Sequence, residues 1–183
     1  MNKCSLFVLL AFLFLLAACS ESPCQPAALP SQSFDPASIK AVSIAVDTGD
    51  VSVTGSQANA VLLSGSQACA QGSTVQVASD KGVLSVTGTA QKRLFQDSAD
   101  TRVEISLQVP ANVPVQVTTD DATVSVSQYD GSLKVDSVAG DVNAQGLAGE
   151  AQLRSGRGNV TLTDSAGIFH VLGEHGVLDI ENS

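Results

Sequence analysis

The sequence has few aromatic and few basic residues. Of its 183 residues only 4% are aromatic, Trp is absent, and Phe7, Phe12 and Phe14 account for three of the six phenylalanines. Nine Lys and Arg stand against eighteen Asp and Glu, a formal net charge of −9, and the densest basic spot is Lys92-Arg93. Nucleic acids and anionic lipids are bound through clusters of basic residues. The composition therefore argues against a nucleic-acid partner and against electrostatic attraction to a membrane surface.

The remaining composition is typical of short strands and tight turns. Hydrophobic residues make up 44% of the chain, mostly Val, Leu, Ile and Ala, and fifteen Gly accompany many Ser, Thr, Asp and Asn. β-Branched residues favour strands, and Gly and Asn favour turns. The length fits one domain or one elongated repeat array. We therefore expect an all-β protein.

The first eighteen residues are typical of an export signal. Lys3 precedes an apolar run from Leu6 to Leu16, which is too short to span a membrane, and small residues follow. The stretch Leu16-Ala17-Ala18-Cys19 resembles the bacterial lipobox, which implies cleavage before Cys19 and lipid attachment to its sulfur; an ordinary secretion signal is the alternative. Several acyl chains would anchor the protein stably. Because Ser20 stands where an inner-membrane lipoprotein would carry Asp, we expect the outer membrane of a bacterial cell envelope.

Two cysteines remain after removal of the signal and lipidation. In an oxidising envelope we expect Cys24 and Cys69 to form a disulfide. The bridge would close a loop of about 46 residues and stabilise the fold by roughly 3–4 kcal/mol. Two unpaired thiols are the alternative. No CxxC motif or neighbouring His supports redox or nucleophilic chemistry at these positions.

The segment 19–38 contains four prolines among Ser, Ala and Gln and is predicted to be an unfolded tether. The folded domain is predicted over residues 39–183. It starts with two strands joined by a tight turn at Thr48-Gly49-Asp50. The following apolar stretches recur about every ten residues, which fits a small antiparallel sandwich or the first turns of a solenoid. Around Leu94-Phe95 the alternation lapses, and we expect a loop with an apolar anchor.

A nine-residue repeat occupies the C-terminal part of the chain. Its six glycines are Gly131, Gly140, Gly149, Gly158, Gly167 and Gly176. Apolar residues follow two and four positions after each Gly, and Ala122 extends the series backwards. Each unit is therefore predicted to be a turn, with Gly adopting a positive φ, followed by a short strand with one buried face. Units that cannot bury this face alone must stack on their neighbours.

Nine residues are too few to encircle a core, so two units are predicted to form one turn of a flattened β-solenoid. The eighteen-residue register places Asp136 beside Arg154. It also aligns Asn143, Thr161 and Asp179 in an outward column. An antiparallel meander with four-residue turns is the competing topology.

A family resemblance rests on three features of this pattern. They are Val51-Ser52-Val53 after Gly49-Asp50, the strand pair 103–110 and 113–117, and the Gly-Asp-Val and Gly-Asn-Val units at Gly140 and Gly158. Together they resemble the bacterial "putative adhesin" β-strand-repeat domains of unknown function, over residues 39–183. The resemblance implies a β-solenoid or stacked sheet at the cell envelope and no enzyme activity. It transfers no functional residues, because the shared positions are structural Gly and Val.

No group of residues stands out as a catalytic, metal or cofactor site. His170 and His175 have no third ligand at a suitable spacing, and the turns lack the Gly-Gly-x-Gly-x-Asp ligands of calcium-binding nonapeptide repeats. We therefore expect no metal and no cofactor. The close acidic pairs, Asp120-Asp121 and Asp179-Glu181, are the candidates for a polysaccharide-cleaving enzyme, although the chain offers almost no aromatic platform for sugars.

The last two units carry apolar residues at outward positions, where earlier units are polar. These residues are Ile168, Leu172 and Val177. Exposed apolar patches tend to mark contacts, so either the Leu94-Phe95 loop or a partner is expected to cover them. We predict a non-catalytic binding, adhesion or scaffold module that contacts an envelope protein, a second copy or a glycan. A polysaccharide-binding or polysaccharide-cleaving β-helix and an envelope assembly or stress accessory are the alternatives.

Overall fold

The computed structural model describes residues 27–67, 73–90 and 102–183, and these residues form β-strands and connections with no helix. None of the described segments is therefore a helix able to cross a membrane. The all-β prediction is confirmed. The thirteen strands are β1 (Ala27–Phe34), β2 (Ala41–Gly55), β3 (Val61–Gln67), β4 (Ser73–Asp80), β5 (Val83–Ala90), β6 (Val103–Val109), β7 (Val115–Ser127), β8 (Leu133–Ser137), β9 (Val142–Gln145), β10 (Glu150–Ser155), β11 (Val160–Thr163), β12 (Ile168–Gly173) and β13 (Leu178–Glu181).

Two long strands, β2 and β7, connect the parts of the open sheet. They pair in parallel along nearly their whole length, from Val42 opposite Val115 to Thr54 opposite Ser127. The first half of β2 also pairs with β5 and its second half with β6. In the same way, the first half of β7 pairs with β8 and its second half with β9. Each long strand thus pairs with the other long strand along its length and with two shorter strands, one along each half.

Two parallel ladders continue from β7. One runs through β8, β10 and β12, and the other through β9, β11 and β13. Each step advances by eighteen residues, as in Leu133 opposite Ala151 and Ala151 opposite Phe169. All strand pairs in this part of the sheet are parallel, so the antiparallel meander is excluded here. Asp136 lies opposite Arg154, as the eighteen-residue register predicted.

The buried apolar side chains of β8 to β11 belong to one hydrophobic cluster. Along these four strands buried side chains alternate with more exposed ones, because neighbouring side chains point to opposite faces. The cluster is built largely of Val, with Leu, Ile and Ala, and Tyr129 is its largest fully buried side chain. The Tyr129 hydroxyl donates a 2.5 Å hydrogen bond to the Val113 carbonyl oxygen, and burial raises the pKa of this phenol.

The first strand differs from the prediction. Residues 27–34 of the expected tether form β1, which pairs antiparallel with β3 at the edge of the sheet. The pairing register shifts between Leu29 and Gln32, around Pro30, which lacks a backbone N–H and is tolerated at a sheet edge. Leu29 and Phe34 pack against the core cluster. Two apolar anchors thus hold a segment whose composition is otherwise that of a spacer.

The expected hairpin at Gly49 is also wrong. β2 is one strand of fifteen residues, in which the buried positions shift from Val42, Ile44 and Val46 to Gly49, Val51 and Val53. Gly49 has a φ of 145°, which an L side chain rarely adopts. The chain therefore redirects its buried face without reversing, because the parallel partner β7 continues past the same point.

The nine-residue glycines are required for space, and the positive-φ explanation is wrong. Among the described residues the glycines with positive φ are Gly49, Gly82 and Gly146. None of these belongs to the nine-residue series. A Cβ on Gly158 would overlap the carbonyl oxygen of Gly140, eighteen residues earlier, and Gly140 is related in the same way to Ala122. Close backbone approach between successive strand connections thus explains the repeat.

Candidate interaction site at the terminal strands

Among the residues that the structure describes, the last two strands have neighbours on one side only. β12 pairs with β10, and β13 pairs with β11. These two strands and the residue just before β13 carry five of the eight exposed large hydrophobic side chains of the described chain. These are Ile168 (66% exposed), Leu172 (51%), Val177 (66%), Leu178 (46%) and Ile180 (49%). We call these five side chains the terminal apolar patch.

Two members of the patch occupy core positions. Leu178 lies opposite Val160 and Ile180 opposite Leu162, and both partners are fully buried. The inward side chains of β12, Phe169 and Val171, are only partly buried against the core. Leu178 and Ile180 are exposed because, within the described residues, no strand pairs beyond β13. The end of the sheet thus leaves apolar side chains exposed at positions that are buried one strand earlier.

The other three members of the patch face outward, where the preceding strands carry polar groups. Ile168 lies opposite Glu150, and Leu172 lies opposite Arg154. Val177 belongs to a column with Asp141 and Asn159. In this column the side chain of one residue accepts a hydrogen bond from the backbone N–H of the residue eighteen positions later. The Asn159 N–H donates to Asp141 Oδ1 (2.7 Å) and the Val177 N–H donates to Asn159 Oδ1 (2.9 Å). Val177 has no side-chain acceptor, so this column of hydrogen bonds ends at the patch.

A charged cluster borders the patch. Arg154 donates a 2.6 Å hydrogen bond to Glu174 Oε1 and lies 3.8 Å from Asp136 Oδ1. The hydrogen bond and the positive charge of Arg154 lower the pKa of Glu174, and Glu174 with Asp136 raises the pKa of Arg154. All three side chains are substantially exposed. These ion pairs lie at the rim of the patch, and exposed ion pairs of this kind contribute little to stability.

The polar candidates from the sequence are dispersed. His170 is exposed on β12, and His175 Nδ1 lies 3.2 Å from the Gly156 carbonyl oxygen. Asp179 and Glu181 are exposed on β13. Within the ranges described above, no three His, Cys, Asp or Glu side chains are grouped as metal ligands would be. Apolar contact and backbone pairing are the interactions that the terminal apolar patch itself offers.

Sequence reasoning located part of this site. Ile168, Leu172 and Val177 were expected at outward positions, and the structure brings them to one end of the sheet with Leu178 and Ile180. The latter two were missed because they occupy the inward positions of the repeat. Their place in the last nine-residue unit of the repeat was the available signal. Cys19, Cys24, Cys69 and the Leu94-Phe95 segment lie outside the described residues.

The fold is similar to that of a solved bacterial protein described as "a putative cell adhesion protein from Clostridium sporogenes". The TM-score is 0.64 at 8% identity, over 86% of this chain and 99% of that chain. At this identity the likeness concerns the fold alone. A "putative adhesin" from Bacteroides fragilis aligns with a TM-score of 0.29 at 12% identity, over 86% of this chain and 97% of that one. No protein-family model matches the sequence, and no curated protein is significantly similar to it.

Proposed function

We propose that this protein is a non-catalytic binding, adhesion or scaffold module of the bacterial cell envelope. Lipid attachment at Cys19 would anchor it in the outer membrane. The name of its structural neighbour from Clostridium sporogenes, "a putative cell adhesion protein", supports a binding role. The lipobox-like stretch before Cys19 supports the anchor.

The proposal includes the form of the module. We infer that residues 115–181 form a flattened β-solenoid of nine-residue units, two units to each turn. The eighteen-residue offsets of both parallel ladders support this form. The shared hydrophobic cluster between the ladders supports it as well. In this view the terminal apolar patch is the open end of a stack, which a solenoid normally has to cap.

The exposed terminal apolar patch is the observation that carries the binding role. Five large apolar side chains lie on or next to β12 and β13, whose outer edges pair with no other strand among the described residues and so offer N–H and C=O groups. Such a surface gains from contact with another polypeptide, through apolar burial and through β-pairing. A protein partner fits this chemistry better than a glycan, because the patch lacks exposed aromatic rings for stacking on sugars.

The test is site-specific photo-crosslinking in cells that make the full-length protein. A photoreactive residue replaces Leu172. In the matched control it replaces Gln152, which is exposed on the adjacent strand β10, opposite His170. We expect a discrete protein adduct from position 172 and none from position 152. Links only to the Leu94-Phe95 segment of the same chain, or no adduct at all, would refute binding at this end.

The enzyme alternative has its own test. A polysaccharide-cleaving activity would need the acidic pair on β13, so purified protein would release fragments from envelope glycans. Replacing Asp179 by Ala would abolish the release. We expect no fragment release from the wild-type protein, and release that depends on Asp179 would overturn the non-catalytic proposal.

A further inference from the structure

Within the described ranges no strand pairs with the outer edge of β12, so the backbone groups on that edge form a defined set. The Ile168 N–H donates to the Gly149 carbonyl, and the Glu174 N–H donates to the Ser155 carbonyl. In a parallel pair, alternate residues direct their backbone groups to the same neighbour. The even-numbered residues of β12 therefore bond to β10. Phe169, Val171 and Gly173 direct their N–H and C=O groups to the open side.

From this geometry we propose that the terminal strands of two copies of this chain pair antiparallel, β12 against β12, with His170 at the twofold axis. The inference rests on the proposed binding role of the terminal apolar patch and names its partner. In this register Phe169 and Val171 of one copy exchange backbone hydrogen bonds with Val171 and Phe169 of the other. Their inward side chains meet across the join and extend the hydrophobic core.

The outward side chains select this register. Residues directly opposite each other in an antiparallel pair lie on the same face. With His170 central, Ile168 of each copy lies opposite Leu172 of the other, so all outward apolar side chains are matched. A shift by two residues in one direction places Ile168 opposite His170, and a shift in the other direction places Ile168 opposite Glu174. The sequence of β12 is thus complementary to itself in one register.

Charge also favours β12 as the place where two copies meet. The chain contains eighteen acidic residues, yet the six residues Ile168–Gly173 include none. Asp179 and Glu181 lie on β13 at the same end, and their repulsion opposes the pairing. The backbone hydrogen bonds and apolar contacts of β12 have to exceed this cost. A closed twofold contact of this kind also leaves no edge of β12 free for further aggregation.

A single cysteine at the twofold axis tests the register. Position 170 is a non-hydrogen-bonded pair in the proposed dimer, with Cα atoms about 4.5 Å apart, within the range a disulfide bridges. We therefore substitute His170→Cys in the full-length protein and add a mild oxidant to intact cells. The wild type controls for the native cysteines. Gln152→Cys controls for an exposed cysteine one strand away from the edge.

We expect a disulfide-linked dimer from His170→Cys and none beyond the wild-type background from Gln152→Cys. Adding Leu172→Asp to His170→Cys should reduce the dimer at least tenfold, because it places a carboxylate opposite Ile168 of the other copy. Leu172 is half exposed, so the change does not disturb the core. Absence of the dimer, an equal yield from Gln152→Cys, or insensitivity to Leu172→Asp would overturn the proposal. If the dimer is absent while Leu172 photo-crosslinks to a different protein, the binding role stands and the self-pairing fails.

Discussion

Replacing Gly158 by Ala places a methyl group where the chain eighteen residues earlier already passes. The new Cβ would overlap the carbonyl oxygen of Gly140 and come within 2.8 Å of the Asp141 nitrogen. Both atoms belong to the backbone, so no side-chain rotation relieves the overlap. The two strand connections have to separate, and this disturbs the hydrophobic cluster beneath them.

The size of the effect follows from two opposing terms. Overpacking of a well-packed interior costs about 1–3 kcal/mol. Replacing Gly by Ala also restricts the unfolded chain, which stabilises by about 0.4–1 kcal/mol. Gly173→Ala is the matched control, because nothing lies within 4 Å of a Cβ at Gly173. Both variants share the unfolded-state gain, so their difference isolates the steric cost.

Urea unfolding followed by circular dichroism measures this difference. We expect Gly158→Ala to be less stable than Gly173→Ala by about 1–3 kcal/mol. The melting temperature should fall by about 2–4 °C for each kcal/mol in a domain of this size. Equal stability of the two variants would refute the conclusion that close backbone approach is the reason for the nine-residue glycine pattern.

Three further predictions concern the core, the strand connections and the rim. Leu153→Ala should lower the free energy of unfolding by about 2–5 kcal/mol in urea, since Leu153 is 1% exposed and packed in the core; a loss below 1 kcal/mol would contradict this. Ser155→Ala should cost about 1–3 kcal/mol in the same assay, because its buried hydroxyl donates to one backbone carbonyl and accepts from one N–H; an exposed Ser→Ala change on β7 should cost nothing measurable. Arg154→Gln should raise the pKa of Glu174 in an NMR titration, since the hydrogen bond and charge of Arg154 hold it low. In the wild type the ion pair is intact at neutral pH and is lost as the pH falls through the lowered pKa, so an unchanged titration in the variant would refute the pairing.

Local periodicity predicted the parallel ladders. The alternation of apolar and polar residues can be recognised within a single strand, and the recurrence of Gly every nine residues can be recognised in the sequence alone. Both signals repeat in residues 131–180, and the pairing of Val142, Val160 and Leu178 in one register followed from them. The predicted neighbours Asp136 and Arg154 lie opposite each other for the same reason.

The beginning of the domain was harder to predict, because its structure depends on distant partners. β2 looks locally like two strands and a turn, and it remains one strand because β7, more than sixty residues later, pairs with it across the apparent turn. β1 looks like a spacer, and it becomes a strand because β3 offers an edge and the core accepts Leu29 and Phe34.

Spacing along the chain was enough to predict the strand class, the eighteen-residue register and the outward apolar residues of the last two units. Contacts between distant residues were needed to show why the glycines are required and where the core is open. A steric limit at Gly158 arises from a carbonyl eighteen residues away. Likewise, Leu178 and Ile180 have the pattern of buried residues and are exposed because burial depends on a neighbouring strand as well as on the side chain itself.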